Sequence, residues 1–536
     1  MYLEIHIDRR AKTPYVYGLF RESFRENGRV RHRTRGRVTG LSHRKLLTLR
    51  DFVKRGCPAS DLNDCHVQHS RELGAVYAVL QVCKDLQLDK AIYSRRDKWV
   101  RHVLAMIAGR VVYQGSKLAL TNLWRDTALW SQCGLGDARP DVDKCYEAMD
   151  RLLERQGEIQ ATLAQKHLEN GCLVLYDVTS SYFEGEYVDS DLVAFGYNRD
   201  GKRGHKQVVI GLMTDARGCP VGVKVYRGNT NDQRTLADRV RELKETYHLR
   251  EIILAGDRGM ITSARLTDLS EAGLRSVTAL THPQILKLVQ RKVIEPSLFD
   301  DREIAEVHDP EDPSVRYMLC RNPLTADKER RTRDALIDKT REAFKKLARS
   351  RKKRTVAELG AAVGKELARW KVGKFFQWEI RDGKLEWELD LAKVVQEQSL
   401  DGCYIVRTDA SSDVFDKHQA VGSYRQLAVV EQGFRQLKTV SIEIRPTYHQ
   451  LDRRIEAHVF LCMLAYYVQW HMGQRLAPLF AADGNGKDRR WTFAGVIERL
   501  KGIREETVQL QDAEVTLKTT PDEEQQQLLN LLGVQL

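Results

Sequence analysis

Leu173-Val174-Leu175-Tyr176-Asp177 is an apolar run that ends on a carboxylate, and Ile252-Ile253-Leu254-Ala255-Gly256-Asp257 repeats the arrangement further along the chain. Apolar runs of this length, followed by turn residues, read as strands buried on both faces. Each aspartate then stands at the C-terminal end of a central strand, where open α/β sheets carry their ligand sites. If the two strands are neighbours, the carboxylates share one cleft and repel each other unless a cation lies between them. That is the framework of a magnesium-dependent phosphoryl-transfer site.

The elements around these strands fill in a sheet. Gln207 to Met213 and Val221 to Tyr226 flank the turn Asp215-Ala216-Arg217-Gly218 and read as an antiparallel hairpin. Asp232 to Tyr247 and Thr262 to Ala272 have helical patterning, and Arg275 to Thr281 is a further strand. Three meandering strands followed by crossover-connected ones describe a mixed sheet of the ribonuclease H type, within an α/β fold.

At 536 residues the chain is long enough for roughly three or four domains. A hydrophobic content of 42% beside 30% charged residues excludes a disordered chain. The net charge of +13 favours a polyanionic partner, most simply nucleic acid, although a merely basic cytosolic protein has the same balance. Ten cysteines without a regular framework suggest reduced thiols. The opening Met1-Tyr2-Leu3-Glu4-Ile5-His6 has no signal-peptide core, and no apolar run is long enough to span a bilayer. His458 to Trp470 reads instead as a buried helix. The expectation is a soluble intracellular protein.

Arg29, Arg31, Arg33, Arg35 and Arg37 fall on alternate positions of the stretch Tyr15 to Val38. In an extended strand that period sets all five on one face, about 6.8 Å apart. With no acid between them they suit a DNA backbone, whereas a solvated hairpin edge gives the same pattern. Helical periodicity follows in Leu73 to Leu86, Trp99 to Tyr113, Ser116 to Trp130 and Tyr146 to Leu168. Cys57, Cys65, His66 and His69 lack the spacing of a known zinc finger and read as ordinary residues. Beyond residue 286, charged helices (Lys328 to Leu347, Val356 to Trp370) flank the basic run Arg351-Lys352-Lys353-Arg354. A hairpin follows, turning at Asp382-Gly383. The whole reads as a separate module inserted in the α/β domain. Cys403 to Arg407 is a returning strand, and the region past Ala481 is polar with one helix near Trp491 to Leu500.

The third acid lies on a helix. Leu427, Val430, Phe434 and Leu437 form an apolar stripe that contains Glu431. A carboxylate there is costly unless paired, and an arginine or lysine partner would account for it. Tyr424, Glu431 and Lys438 are spaced by seven, and each such step drifts only ~20° around a helix. A phenol, a carboxylate and an ammonium in a row suit a metal-bound scissile phosphate with a DNA backbone across it.

These residues resemble the DDE transposases of bacterial insertion sequences, a group of ribonuclease H-like polynucleotidyl transferases. The third motif is similar to the branch that spaces Tyr, Arg, Glu and Lys as Tyr424, Leu427, Glu431 and Lys438 are spaced. The resemblance also takes in the opening hairpin, Asp177-Val178-Thr179-Ser180-Ser181-Tyr182-Phe183, Gly228-Asn229-Thr230-Asn231-Asp232, Gly256-Asp257-Arg258-Gly259-Met260 and Arg445-Pro446-Thr447-Tyr448-His449. It implies Asp177, Asp257 and Glu431 as a triad binding two Mg2+ ions (Mn2+ able to substitute), with Tyr424 and Lys438 as phosphate contacts. It further implies cleavage at transposon ends, joining to target DNA, a homodimer in the synaptic complex, no membrane, and a bacterial cytoplasmic, nucleoid-associated setting.

The family's arginine is replaced by Leu427. Arg425 points roughly 120° away on an ideal helix, while Arg435 lies within about 40° of the acidic face and is expected to substitute. On this basis residues 1–54 form a basic β-hairpin region and 55–170 a helical DNA-binding domain. Residues 171–285 and 401–480 make the catalytic domain, 286–400 an insertion, and 481–536 a C-terminal helical tail. Three rivals remain: a ribonuclease H-like nuclease or resolvase, a silent DNA-binding protein of transposase descent, and a haloacid-dehalogenase phosphatase. The last wants an acid where Thr179 stands.

Overall fold

The computed structural model describes residues 1–8, 15–26, 29–55, 65–197, 204–249, 252–256, 273–300, 302–350, 354–437, 442, 444–445, 447–483, 489–510 and 513–536. Its first sheet begins with β1 (Tyr2–Asp8), β2 (Tyr15–Glu26) and β3 (Arg29–Thr39), paired antiparallel in sequence order. β4 (Cys65–Glu72) closes the far edge. Between β3 and β4 lie two strands from the other end of the chain, Ala513–Lys518 on β3 and Arg504–Leu510 on β4.

Two expectations are corrected here: the region past residue 481 is not purely helical, and the helical stretch after residue 55 contains a strand. Arg504-Glu505-Glu506-Thr507, which open the strand beside β4, carry no apolar alternation. Polar contacts serve in its place, with Arg71 bridging Glu505 and Asp137 at 2.6 Å each and Arg504 reaching the Ser70 hydroxyl at 2.6 Å.

The helical region that follows packs as expected but is more broken. Helices Gly74–Asp85 and Lys98–Val112 match the periodic stretches. Ser116 to Trp130 is instead three short pieces, and Thr127 closes one break by accepting the Leu129 amide at 3.1 Å. Tyr146 to Leu168 is two helices, Val142–Glu154 and Gln156–His167, parted at Arg155. Periodicity cannot detect such breaks, because the apolar face continues through them.

The central sheet has β5 (Cys172–Tyr182), β6 (Gln207–Asp215), β7 (Pro220–Arg227), β8 (Ile252–Ala255) and β9 (Arg275–Ala279), in the spatial order β7-β6-β5-β8-β9. β5–β6 and β6–β7 pair antiparallel; β5–β8 and β8–β9 pair parallel. This is the ribonuclease H-like order. The helix read at Thr262 to Ala272 lies outside the described residues. β6 is buried along its whole length. It must carry glycine at 211, where a Cβ would sit 2.2 Å from the buried Tyr176 hydroxyl.

The stretch after residue 286 divides in two. β10 (Ala305–His308) and β11 (Arg316–Arg321) extend the central sheet. Neither was expected, although Tyr317-Met318-Leu319-Cys320 is an apolar run. The helices Pro323–Arg349 and Val356–Trp370 and the hairpin β12 (Phe376–Arg381) to β13 (Lys384–Leu389) form a body with its own core of Ile337, Phe344, Val363, Phe376 and Leu385. The hairpin turns at Asp382 (φ 48°) and Gly383 (φ 71°), both left-handed as a two-residue turn requires. β14 (Cys403–Thr408) then enters between β9 and β11, completing the order β10-β11-β14-β9-β8-β5-β6-β7.

Helix Asp452–Arg475 joins the parts. It packs against β7 and against the helices Gly74–Asp85, Lys98–Val112 and Val142–Glu154 within one continuous core. No helix among the described residues is long and apolar enough to cross a membrane. At one joint the His458 Nε2 donates to the Ile444 carbonyl at 3.0 Å, which leaves Nδ1 as the acceptor for the Lys117 ammonium at 2.5 Å. Burial, with Arg110 nearby, pushes Lys117 down to about 7 from 10.5. Burial likewise holds His458 well below its ordinary value and His449 down at about 3.

Because the folded pKa of Lys117 is depressed, the unfolded chain binds the extra proton between about pH 7 and 10.5. Stability therefore rises with pH across that window, by at most about 1.4 kcal/mol per unit. Urea midpoints at pH 7.5 and 9.5 should show the protein gaining on its Lys117→Met variant at the higher pH. Parallel profiles would show that Lys117 titrates normally.

Candidate active site

Asp177 lies within β5 rather than at its end, because Val178-Thr179-Ser180-Ser181-Tyr182 continues the strand against β6. What ends beside it is the parallel pairing. β5 and β8 match Cys172 with Ile252 through Leu175 with Ala255 and no further. The half-buried Asp177 thus stands two residues past the last parallel pair, and its Oδ1 accepts the Val178 amide at 2.7 Å. Asp257 follows Ala255 by the same two residues in sequence and lies outside the described residues.

Helix Lys417–Arg435 crosses this sheet, packing on β5, β6, β8 and β9. Its start is fixed twice. Asp416 caps the His418 and Gln419 amides at 2.7 and 2.9 Å, while the Gln419 side chain accepts the Asp416 amide at 2.9 Å. Ahead of the cap, the buried Arg316 donates to the Ala410 and Phe415 carbonyls at 2.7 Å each and pairs with Glu306 at 2.7 Å. Further along, the β6–β7 turn abuts the helix at Val429.

Leu427, Val430 and Phe434 face inward, so Leu427 is core and offers nothing to a phosphate. Glu431 is exposed, not enclosed by the apolar stripe, which corrects the expectation. The helix is turned so that 431 and 435 clear the sheet. Among the described residues Glu431 has no ion-pair or hydrogen-bond partner, so the arginine or lysine that could have explained it is not found there. Arg425 is occupied, donating to the Tyr404 hydroxyl at 2.8 and 3.2 Å, and Tyr404 lies beside Tyr424 with ring centroids 6.4 Å apart. Arg435 is exposed in the last turn. Lys438 lies outside the described residues.

The arginine stripe is on β3, but its neighbour strand supplies acids. Arg33 and Arg35 share Glu22 at 2.9 and 2.8 Å, Arg31 pairs with Glu26 at 2.9 Å, and Arg37 lies 4.4 Å over the Tyr17 ring. Hydrogen bonds from Arg35 and Arg33 hold Glu22 below the ordinary carboxylate range. Arg29 is exposed at the strand's start. The acids sit across the hairpin rather than between the arginines, so spacing along β3 could not reveal them. His66 and His69 are exposed on β4, a strand rather than the helix that would have aligned them; Cys57 lies outside the described residues.

One cluster was not anticipated as a unit. At the far end of β5 the Arg445 guanidinium lies 4.5 Å over the Tyr182 ring, which touches the His205 ring at 5.4 Å. His205 is distant in sequence from the strand that carries Asp177, and the fold brings it there.

Asp177 and Glu431 both offer carboxylate oxygens, the first half-buried on β5 and the second exposed on the helix that packs across β5. That set fits a hard divalent ion. The strand order and the acid at the edge of the parallel pairing define a ribonuclease H-like α/β protein. The family described as transposase DDE domain matches residues 171–468, more than half of the chain. The chain belongs to this family and is a DDE transposase. No curated protein matches it. Among solved structures, the cryo-EM structure of the piggyBac transposase synaptic complex with hairpin DNA is similar at a TM-score of 0.35 and 9% identity, covering 80% of this chain and 76% of that one. That level of similarity transfers no property.

The turn against the catalytic helix can be tested. Gly218 has φ +86°, and a Cβ there would lie 2.3 Å from Val429 Cγ1; Gly136 has φ +93° with nothing within 4 Å. Both alanine variants carry the backbone strain, and only Gly218→Ala carries the clash. Gly218→Ala should lose about 1–3 kcal/mol more stability than Gly136→Ala in urea unfolding. Equal losses would mean that the turn does not brace the helix.

Proposed function

We propose that this DDE transposase cleaves the ends of a bacterial insertion sequence and joins the resulting 3′-hydroxyls to target DNA, with Asp177, Asp257 and Glu431 as its acidic triad. The observation that carries the proposal is the register of β5 with β8. It leaves Asp177 two residues past the last parallel pair, Asp257 follows by the same count in sequence, and the helix bearing Glu431 packs across both strands.

Bound by these three carboxylates, Mg2+ (two ions, Mn2+ able to substitute) would supply Lewis-acid polarisation of the scissile phosphate. The remaining work belongs to side chains. Tyr424 donates from its phenol and Lys438 and Arg435 from their cations to non-bridging phosphate oxygens, fixing the backbone along the helix. Arg425, held by Tyr404, is not the replacement for the motif arginine. The nucleophile is water at cleavage and a 3′-hydroxyl at joining, so no covalent link to the protein forms.

Arg29, Arg31, Arg33, Arg35 and Arg37 bind DNA away from the scissile bond. Their pairs with Glu22 and Glu26 stay open to solvent on one side, so phosphates can displace the carboxylates. Two protomers hold the two ends together, in the bacterial nucleoid.

The test is incubation of the full-length protein and Mg2+ with duplex DNA carrying an element end, scoring nicking and joining separately. Asp177→Asn, Asp257→Asn and Glu431→Gln should each lower cleavage by about 10³-fold or more with end binding retained. A variant that cleaves normally removes its carboxylate from the site, and nicking without joining makes the protein a nuclease. In the same assay Arg435→Ala should cost more cleavage than Arg425→Ala; equal losses, or the reverse order, reject Arg435 as the substitute.

A further inference from the structure

Behind the β6–β7 turn, three soft or borderline donors from three separate elements meet. His167 ends the helix Gln156–His167, Cys219 follows the turn, and His471 lies on the helix Asp452–Arg475. Cys219 Sγ is 3.8 Å from His167 Nε2 and 3.8 Å from His471 Nε2, and all three atoms lie within 4.8 Å of one another. A tetrahedral ion with bonds of about 2.3 Å to sulfur and 2.0–2.1 Å to nitrogen sets sulfur and nitrogen about 3.5 Å apart. The sulfur–nitrogen spacings therefore need only a few tenths of an ångström of adjustment.

We propose that His167, Cys219 and His471 form a binding site for a zinc-class divalent ion, separate from the acidic triad and structural in role.

The chemistry of the donors selects the metal. Two imidazoles and a thiolate suit zinc and not magnesium, which takes oxygen ligands. Both imidazoles present neutral nitrogens at pH 7: burial pushes His471 down to about 4, with His167 adding to the effect, and burial also lowers His167. On binding, the Cys219 thiol proton passes to solvent and the sulfur becomes an anionic ligand. Three protein ligands leave the fourth position to a water.

Asp215 accepts the Cys219 amide at 2.9 Å, fixing the backbone of the ligand. The Tyr467 hydroxyl lies 3.0 Å from His167 Nε2 and turns away when that nitrogen binds the ion. Cys219 is fully buried while both histidines are half-buried, which leaves an ion a way in. The location gives the site a purpose. It ties the helical region through His167 and the long helix through His471 to the same turn that meets Val429 beside Glu431.

Another buried pair shows the contrast. Cys462 lies 3.8 Å from His458, yet it belongs to no group of three among the described residues.

The test uses the full-length protein stripped of metal and titrated with Co2+ and then Zn2+. Co2+ bound by a thiolate gives a sulfur-to-metal charge-transfer absorption in the near ultraviolet, which the sulfur-free acidic triad cannot produce. One equivalent should give this band, Zn2+ should displace it, and Zn2+ should raise the melting temperature by at least about 3 °C. Cys219→Ser should abolish the band, His471→Gln should weaken metal binding at least about tenfold, and Cys462→Ser should leave both unchanged.

Circular dichroism confirms that each variant is folded, and His471→Gln carries the test if Cys219→Ser is not. The proposal is overturned if no thiolate band forms, if the band survives in Cys219→Ser, or if it disappears in Cys462→Ser. Loss of DNA cleavage in the triad variants with this band intact would separate the two sites. A failure of the transposition assay leaves the Co2+ result standing on its own.

Discussion

The central sheet turns on a four-residue parallel pairing between β5 and β8, Cys172 with Ile252 through Leu175 with Ala255. Parallel strands bring equivalent positions side by side, and Leu175 and Ala255 stand level as the last pair among the described residues. The apolar halves hold this register, because Val174, Leu175, Leu254 and Ala255 are fully buried and a slip of one residue would reverse which face each side chain meets. Burial of the strands supplies the favourable term.

The acid on the helix is placed by a different route. Glu431 rides on a helix whose position is fixed at its start, along its length and after its end. Arg316 on β11 holds the loop ahead of the cap, and the turn at Gly218 meets Val429 midway. Beyond the helix, the Ile442 and Ile444 amides bond to the Gln436 and Leu437 carbonyls at 3.0 and 2.8 Å. The Ile442 carbonyl is then reached by Arg110 and that of Ile444 by His458, itself bonded to Lys117. The strands after residue 286 and the helical N-terminal region therefore share one structural task. Each clamps a different end of the helix that carries Glu431.

Much of this was legible because the signals were local. The core segments of β5 and β8 are apolar runs, and the hairpin at Asp382-Gly383 is set by two positions that must be left-handed. The rest was hidden for identifiable reasons. Arg504 to Thr507 shows no apolar alternation, and polar bonds to Ser70 and Arg71 hold that strand to β4. The helix breaks near Arg155 and Thr127 leave the apolar periodicity intact. Glu431 sits beside the apolar stripe in sequence, and only packing decides that it faces outward. Pairing of Glu22 with Arg33 and Arg35 crosses a hairpin and is invisible along either strand.

That pairing changes how the basic face is understood. Counted along the sequence, five arginines on one strand make a strongly positive ridge; counted on the sheet, Glu22 and Glu26 neutralise part of it. Exposed pairs of this kind contribute little to folding. Their main effect is on the charge offered to DNA, since an arginine already paired releases fewer counterions from the duplex when it binds. A ridge of this kind binds more weakly and with a shallower salt dependence than five free guanidinium groups would. Arg29 and the outer part of Arg31 are the most available, while Arg35 is the most enclosed. Availability is greatest beside the β2–β3 turn, where Arg29 and Arg31 lie, and again at Arg37, with Arg33 and Arg35 held by Glu22 between them.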